Sequence, residues 1–314
     1  MSLDKDLISK LVNVTSRAAI NCYQFLGKGD KKKADKAATD SMRNDLNNLE
    51  INGEVVIGEG ELDESPMLYI GEKLGKGNGP KLDIAVDPLE GTNFAAKNLP
   101  GALSVLAISE KGNLFNAPET YMNKIAVGKD VPFDATDLDF PLKKNIFNIA
   151  DAKNKNINEL TVCILDRPRH KDIIKELKSL KVNLKLISDG DICGSLLVTD
   201  NKYNVDLFLG IGGGPEGVIS AAALDAYGCK FQGKFLFATD QDKARAKKMG
   251  IIDLNKKYEL NEIVKGDSIF CATGITSTEM VAAVKKEKTK FITETLVTHK
   301  ESTIEIIKSE EPIA

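Results

Sequence analysis

Short apolar runs alternating with helical stretches constrain this chain more than any other feature. The clearest case spans 160–227: 160–165 reads as a strand, 170–181 as a helix and 183–187 as a strand. A helix then begins near Asp191, 205–211 is a strand, and 215–227 is an alanine-rich helix. Strands this apolar need cover on both faces, so the pattern predicts an α/β fold with helices on either side of a sheet. Upstream, Leu7, Ile8, Leu11, Val12, Ala19, Tyr23 and Leu26 keep helical spacing until Gly27. Ala38, Met42, Leu46 and Leu49 mark a second helix over 34–49, and the basic stretch 27–33 between the two reads as a solvated loop. Further strands are expected at 54–58, 82–87, 102–109, 123–128, 268–273 and 291–298. The polar segment 129–158 holds Pro132 and Pro141 and little regular pattern, and reads as a boundary or a long connection. Two domains follow, 1–160 and 161–314, which suits a chain of 314 residues.

Composition then narrows the partners. A net charge of −3 argues against broad nucleic-acid or acidic-membrane binding, so an anionic ligand needs a local cationic site or metal ions. No apolar run approaches the roughly 20 residues that span a bilayer, and the charged start, Met1 to Asp6, lacks the apolar core of a signal peptide. The five cysteines are odd in number and widely spaced, with neither a disulfide framework nor a zinc spacing, so a cytoplasmic location is expected. Histidine occurs only at His170 and His299, which leaves carboxylates, hydroxyls and metal ions to carry any catalysis.

Four clusters bear chemistry. In Val86-Asp87-Pro88-Leu89-Glu90-Gly91-Thr92-Asn93, Asp87 falls at or just past a strand end, and Pro88 helps to terminate the strand. Gly91 permits close approach, Thr92 offers a hydroxyl, and the carboxylates with a neighbouring carbonyl suit a hard cation such as Mg²⁺ or Mn²⁺. The bland alternative is an ordinary acidic turn. A second strand end, Glu59-Gly60-Glu61-Leu62-Asp63-Glu64, packs four carboxylates into six residues, which is unfavourable without water or a cation to compensate. Asp35, at the start of the second helix, is a third contributor or merely a favourable helix-start charge.

The third cluster, Asp166-Arg167-Pro168-Arg169-His170, sets two guanidinium forks before a helix, which suits a phosphate; a salt-bridge patch is the alternative. Ser188-Asp189-Gly190-Asp191 also follows a strand, where its carboxylates accept from sugar hydroxyls or simply cap a helix. The fourth, Gly212-Gly213-Gly214-Pro215-Glu216-Gly217, matches the spacing of a dinucleotide-binding loop. Pro215 removes a backbone donor there, and Glu216 would set a negative charge beside the pyrophosphate, so a carboxylate facing a cation makes better sense.

Taken together these clusters resemble the class II fructose-1,6-bisphosphatases of the lithium-sensitive sugar phosphatase superfamily. The matching stretches are KADKAATDSMR (33–43), VIGEGELDESPMLYIGEKLG (56–75), DIAVDPLEGT (83–92), NAPETYMNK (116–124), RPRH (167–170), SDGDI (188–192) and GIGGGPEGVISAAAL (210–224). FCATGIT (270–276) and TETL (293–296) continue the match in the same order over almost the whole chain. The resemblance implies an α/β, sugar-phosphatase-type layered αβαβα sandwich of two mixed sheets and helices. It also implies hydrolysis of fructose 1,6-bisphosphate with Mg²⁺ or Mn²⁺, and a homo-oligomer, dimer or tetramer.

The same resemblance makes Asp35, Glu59, Asp87, Glu90 and Glu216 metal ligands, with the Leu89 carbonyl a possible addition. It places substrate contacts at Glu90, Gly91, Thr92, Tyr121, Arg167, Pro168, Arg169, Asp189, Gly190, Asp191 and Gly213. Thr92, oriented by Glu61 or Asp63, would position the attacking water, since a threonine hydroxyl alone is a poor base. Arginine at 167 departs from relatives that carry lysine there, and 231–250 looks shorter than in some members. The competing expectations are a sedoheptulose-1,7-bisphosphatase, an inositol-type monophosphatase, a non-catalytic sugar-phosphate sensor and an oxidoreductase.

Overall fold

The computed structural model describes residues 3, 5–58, 68–300 and 302–313. It divides into two compact units, Met1–Phe115 with Val264–Ala314, and Asn116–Ile263.

In the first unit α1 (Asp6–Tyr23) and α2 (Lys31–Asn47) precede β1 (Asn52–Ile57), β2 (Lys73–Leu74), β3 (Lys81–Glu90), α3 (Thr92–Lys97) and β4 (Leu103–Glu110). The returning segment adds the strands named by their chain order, β11 (Ser268–Gly274), β12 (Lys285–Lys286), β13 (Lys290–His299) and β14 (Thr303–Pro312). The sheet runs β12-β13-β11-β4-β3-β1-β2, with β14 on the far side of β13. It is mixed, because β1 and β3 are parallel while β3 and β4 are antiparallel. Leu7, Leu11, Ala18 and Cys22 of α1 and Ala38, Met42 and Leu46 of α2 pack into one apolar core with Ile84, Leu106, Ile269 and Val297. The three-to-four-residue spacing of those helix positions forms one buried stripe, which is why both segments are helical.

A buried hydroxyl network pins α1 to the returning strands. Thr273 Oγ1 donates to Thr15 Oγ1 at 2.8 Å and lies 2.7 Å from Thr295 Oγ1, and Thr293 Oγ1 donates to Ser16 Oγ at 3.0 Å. These threonines belong to the stretches 270–276 and 293–296, whose role in the sequence is therefore to close this core.

The second unit holds β5 (Tyr121–Val127), α4 (Leu142–Ala152), β6 (Thr161–Leu165), α5 (Lys171–Ser179), β7 (Asn183–Ile187), α6 (Asp191–Leu196) and β8 (Leu207–Gly213). α7 (Gly214–Ala226), β9 (Lys230–Leu236), α8 (Asp240–Lys248), β10 (Lys257–Glu259) and α9 (Leu260–Ile263) complete it. Its sheet order is β10-β9-β5-β8-β6-β7, parallel between β6 and its neighbours and antiparallel elsewhere. The chain is thus an α/β protein with two mixed sheets among the described residues.

The division differs from the expected boundary at 160. The segment 129–158 contains α4, whose Ile146, Ile149 and Ala150 lie in the second unit's core. From Val264 onward the chain returns to the first sheet, where β11 pairs with β4. The basic stretch at 27–33 is also not all loop: α2 already starts at Lys31, with Asp30 Oδ1 accepting from the Lys33 N–H at 3.1 Å.

Asp206, just before β8, is buried and accepts from Lys155 Nζ at 2.7 Å, from the Thr161 N–H at 3.0 Å, and pairs with Lys153 Nζ at 3.1 Å. Burial pushes its carboxyl up, but these donors outweigh burial and hold it below the usual aspartate range. Asp206 therefore fixes the starts of β6 and β8 relative to α4. Asp206→Asn is expected to destabilise the protein by about 1–3 kcal/mol, since Lys153 and Lys155 lose their buried carboxylate partner while Lys153 keeps Asp130 at 2.9 Å. Urea unfolding at neutral pH checks this. Because the folded carboxyl is held low, its contribution is present above about pH 4 and fades as pH falls through the folded value.

Candidate active site

In the first unit the candidate residues grow from one irregular strand. β3 runs on through Glu90 rather than ending at Asp87. Its pairing with β4 shifts register between Asp87, opposite Val105, and Glu90, opposite Leu103. This bulge accommodates Pro88, which has no N–H to give a ladder. Asp87 Oδ1 accepts from the Leu89 N–H at 3.2 Å and fixes the bulged backbone. Gly91 follows at φ +79°, where a Cβ would also meet Phe94 Cδ2 at 3.0 Å and the Gly101 carbonyl oxygen at 3.2 Å. Its carbonyl accepts the first bonds of α3, from the Phe94 N–H at 2.9 Å and the Ala95 N–H at 3.2 Å. Thr92 is therefore the first residue of α3.

Asp35 lies on α2, which packs against β3 and α3. Lys31 Nζ donates to Asn93 Oδ1, and the Gly27 and Gly29 N–H groups each donate to α3 carbonyls at 3.0 Å. The structure thus carries Asp35 on α2, and Asp87, Leu89, Glu90, Gly91 and Thr92 along β3 and into α3, the two elements α2 packs against. One Asp35 oxygen is shielded from solvent, and Glu90 is only 6% exposed. Carboxylates are withdrawn from water only where charge or donors compensate, and an all-oxygen donor set fits a hard divalent cation. Among the described residues no group of three or more histidine, cysteine, aspartate or glutamate side chains is placed so as to hold a metal. Glu59, Glu61 and Asp63 lie outside the described residues.

The second unit gathers its residues at the ends of β6, β7 and β8. Arg167 Nη2 pairs with Asp189 Oδ1 at 3.3 Å. Arg169 Nε donates to the Ile211 carbonyl at 2.8 Å, and its guanidinium carbon sits 4.8 Å from the centre of the Tyr121 ring. One edge of that guanidinium is tethered and its face is stacked, leaving a pre-oriented fork for an anion. Pro168 opens the short 3-10 turn that spaces the two arginines. Gly190, at φ +81°, caps α6 so that Asp191 begins the helix.

Two residues here were given no role of their own from the sequence. Lys124 on β5 is 1% exposed and donates to Asp191 and, at 2.6 Å, to the Gly213 carbonyl. A lysine at an inward position of a strand, two residues from buried Met122, was the available signal. His170 is fully buried; its Nδ1–H donates to the Leu165 carbonyl at 2.7 Å and its Nε2 accepts from the Ile211 N–H at 2.7 Å. Those partners require the neutral Nδ1–H tautomer. Burial raises the Glu216 carboxyl above its usual range; Lys124 opposes the rise and Asp191 adds to it. Glu216 folds back over Gly213, where a Cβ would lie 1.8 Å from Glu216 Oε2. The ground that a dinucleotide loop would give to pyrophosphate is thus taken by a carboxylate.

The family model described as bacterial fructose-1,6-bisphosphatase, glpX-encoded, matches residues 5–311. The chain belongs to that family. It is 42% identical over 320 aligned positions to fructose-1,6-bisphosphatase 1 class 2 of Escherichia coli (strain K12), covering 97% of this chain and 95% of that one. It is 41% identical to the D-fructose 1,6-bisphosphatase class 2/sedoheptulose 1,7-bisphosphatase of Prochlorococcus marinus (strain MIT 9301), covering 94% and 92% of the two chains. A solved extragenic suppressor from Pyrococcus furiosus is also similar, at 15% identity and TM-score 0.33 over 62% of this chain and 70% of that one, too little to bear on the argument. Among the described residues no helix is long and apolar enough to cross a membrane.

Two outcomes test the geometry of this family member. Burial is the main reason that the His170 imidazole titrates below its ordinary range, with Arg169 adding to it. As pH falls below about 6.5 the unfolded chain takes up that proton first, so stability drops through the folded value. The decline in thermal midpoint between pH 7 and pH 5 is expected to be steeper in the wild type than in His170→Gln. Gly91→Ala, forced to positive φ against Phe94, is expected to lose about 1–2 kcal/mol in urea unfolding.

Proposed function

We propose that this chain hydrolyses the 1-phosphate of fructose 1,6-bisphosphate to fructose 6-phosphate and inorganic phosphate, with Mg²⁺ or Mn²⁺. The family match along the chain supports the reaction. The observation that carries the bisphosphate preference is the tethered and stacked Arg169 beside Arg167, a cationic pair suited to a second phosphate.

In this reading Asp35, Glu59, Asp87, Glu90 and Glu216, with the Leu89 carbonyl, hold the divalent ions. Such ions, when bound, neutralise the phosphate and lower the pKa of water. The chain's own residues do the rest. Thr92, oriented by Glu61 or Asp63, positions or deprotonates the attacking water for in-line attack. Arg167, Arg169 and Tyr121 hold the 6-phosphate, and Pro168 sets the spacing of the arginines. Asp189 and Asp191 accept from sugar hydroxyls, and the backbone at Gly91, Gly190 and Gly213 supplies further substrate contacts.

Hydrolysis of sedoheptulose 1,7-bisphosphate by the same site is the second reading, favoured by the name of the Prochlorococcus relative. A homo-oligomer, dimer or tetramer, is supported by β14, which among the described residues pairs only with β13 and exposes Ile304 and Ile306. A cytoplasmic location is supported by five cysteines that are all buried and outside any disulfide.

Phosphate release from a panel of sugar bisphosphates and monophosphates, with Mg²⁺, with Mn²⁺ and with a chelator, tests the reading. Fructose 1,6-bisphosphate should be preferred over monophosphates and the chelator should abolish release; chelator-resistant turnover would sink the metal assignment. Thr92→Ala should lower kcat by about 100-fold or more with little change in KM. Arg169→Ala should chiefly raise KM, by about tenfold or more, and a Thr92→Ala enzyme at full turnover would remove that hydroxyl from the mechanism.

A further inference from the structure

We infer that Lys124 is a positioning residue for the sugar side of the active site: it holds the Asp191 carboxylate and the Gly213 carbonyl in the places from which they meet substrate. The inference rests on the fructose-bisphosphatase reading, which makes Asp191 and Gly213 substrate contacts.

Three observations converge on it. Lys124 is among the largest fully buried side chains of the described residues, and a buried ammonium is retained at a cost unless it has charged and polar partners. Its partners are not scattered: one is the Asp191 carboxylate on α6, the other is the Gly213 carbonyl at 2.6 Å on β8. Those are two separate elements that touch the sugar, and Lys124 reaches them from a third, the neighbouring strand β5.

The bare strand gives the Asp191 carboxylate a place to lie, and Lys124 holds it there. A Cβ at Gly212 would lie 2.0 Å from Asp191 Oδ2, so the carboxylate rests directly on the bare strand. Gly217, in the first turns of α7, likewise has Lys124 Cδ 3.4 Å from the place of its missing Cβ, so the lysine stem is enclosed by glycine-lined backbone. Asp191 and Glu216 also repel one another, and Lys124 lies within electrostatic reach of both. Without the ammonium, the carboxylate best able to accept from a sugar hydroxyl would turn away from its neighbour and toward water. A charge-assisted hydrogen bond both orients an acceptor and reduces the rotamers it must lose on binding.

The test compares wild type, Lys124→Met, Asp191→Asn and the double variant. The Lys124→Met enzyme should show KM for fructose 1,6-bisphosphate raised about tenfold or more, the loss expected of a charge-assisted contact, with kcat within about threefold. Calorimetric binding of fructose 6-phosphate in the presence of a chelator should weaken in parallel, a readout independent of turnover. Because Lys124 acts through Asp191, the double variant should bind no worse than the weaker single variant. It removes both buried charges together, so it also covers the case in which Lys124→Met fails to fold. A structural role alone would lower the thermal midpoint and leave KM and product affinity at 25 °C unchanged, and that result would overturn the inference. So would additive losses in the double variant. If the wild type itself neither hydrolyses the bisphosphate nor binds the product, the functional reading fails instead.

Discussion

The absence of β-carbons at Gly210, Gly212, Gly213 and Gly214 is what lets other elements close on the end of β8. Each place that a side chain would fill is taken by a group from elsewhere: His170 Nε2 3.0 Å from the Gly210 position, Asp191 Oδ2 2.0 Å from Gly212, Glu216 Oε2 1.8 Å from Gly213 and Phe235 Cε1 2.7 Å from Gly214. An imidazole, two carboxylates and a phenyl ring are thereby set against bare backbone. Ile211, between the glycines, supplies the N–H that His170 accepts and the carbonyl that Arg169 binds. Arg169, Asp191 and one expected metal ligand, Glu216, all take their positions from this single run.

The first unit solves a similar problem by a different device. There the strand does not thin to glycine but bulges, absorbing Pro88 between Asp87 and Glu90. The bulge sets one carboxylate on either side of the register shift and hands the chain to Gly91, whose positive φ turns it into α3. A hydroxyl at the first position of that helix follows from the turn, not from any special preference of threonine.

Much of this was legible in the sequence, and the reasons differ by residue. The alternation of apolar runs and helical stretches gave the α/β class, because burial periodicity survives whatever the tertiary detail. Gly91 and the glycine run announced close approach. The order of motifs along the chain pointed to the family that the comparisons then showed. α4 was missed because its buried face has only three apolar residues, Ile146, Ile149 and Ala150, beside the polar Asn145, too short a stripe to stand out in a polar segment. The return of β11 and β13 to the first sheet was missed because strand pairing between residues so far apart leaves no local mark. β3 was cut short at Pro88 because a proline reads as a stop unless the bulge that shelters it is known. Lys124 was passed over because a lysine in a strand usually faces water, and only its partners on α6 and β8 reveal that it does not.

The central claim is that side chains resting on the bare end of β8 form the sugar-binding half of a fructose bisphosphatase. Steady-state hydrolysis of fructose 1,6-bisphosphate by Gly212→Ala tests it most directly, since the new methyl falls 2.0 Å from Asp191 Oδ2. The account predicts a folded enzyme whose KM is raised about tenfold or more, because the displaced carboxylate no longer meets the sugar. A folded Gly212→Ala enzyme with wild-type KM would contradict it.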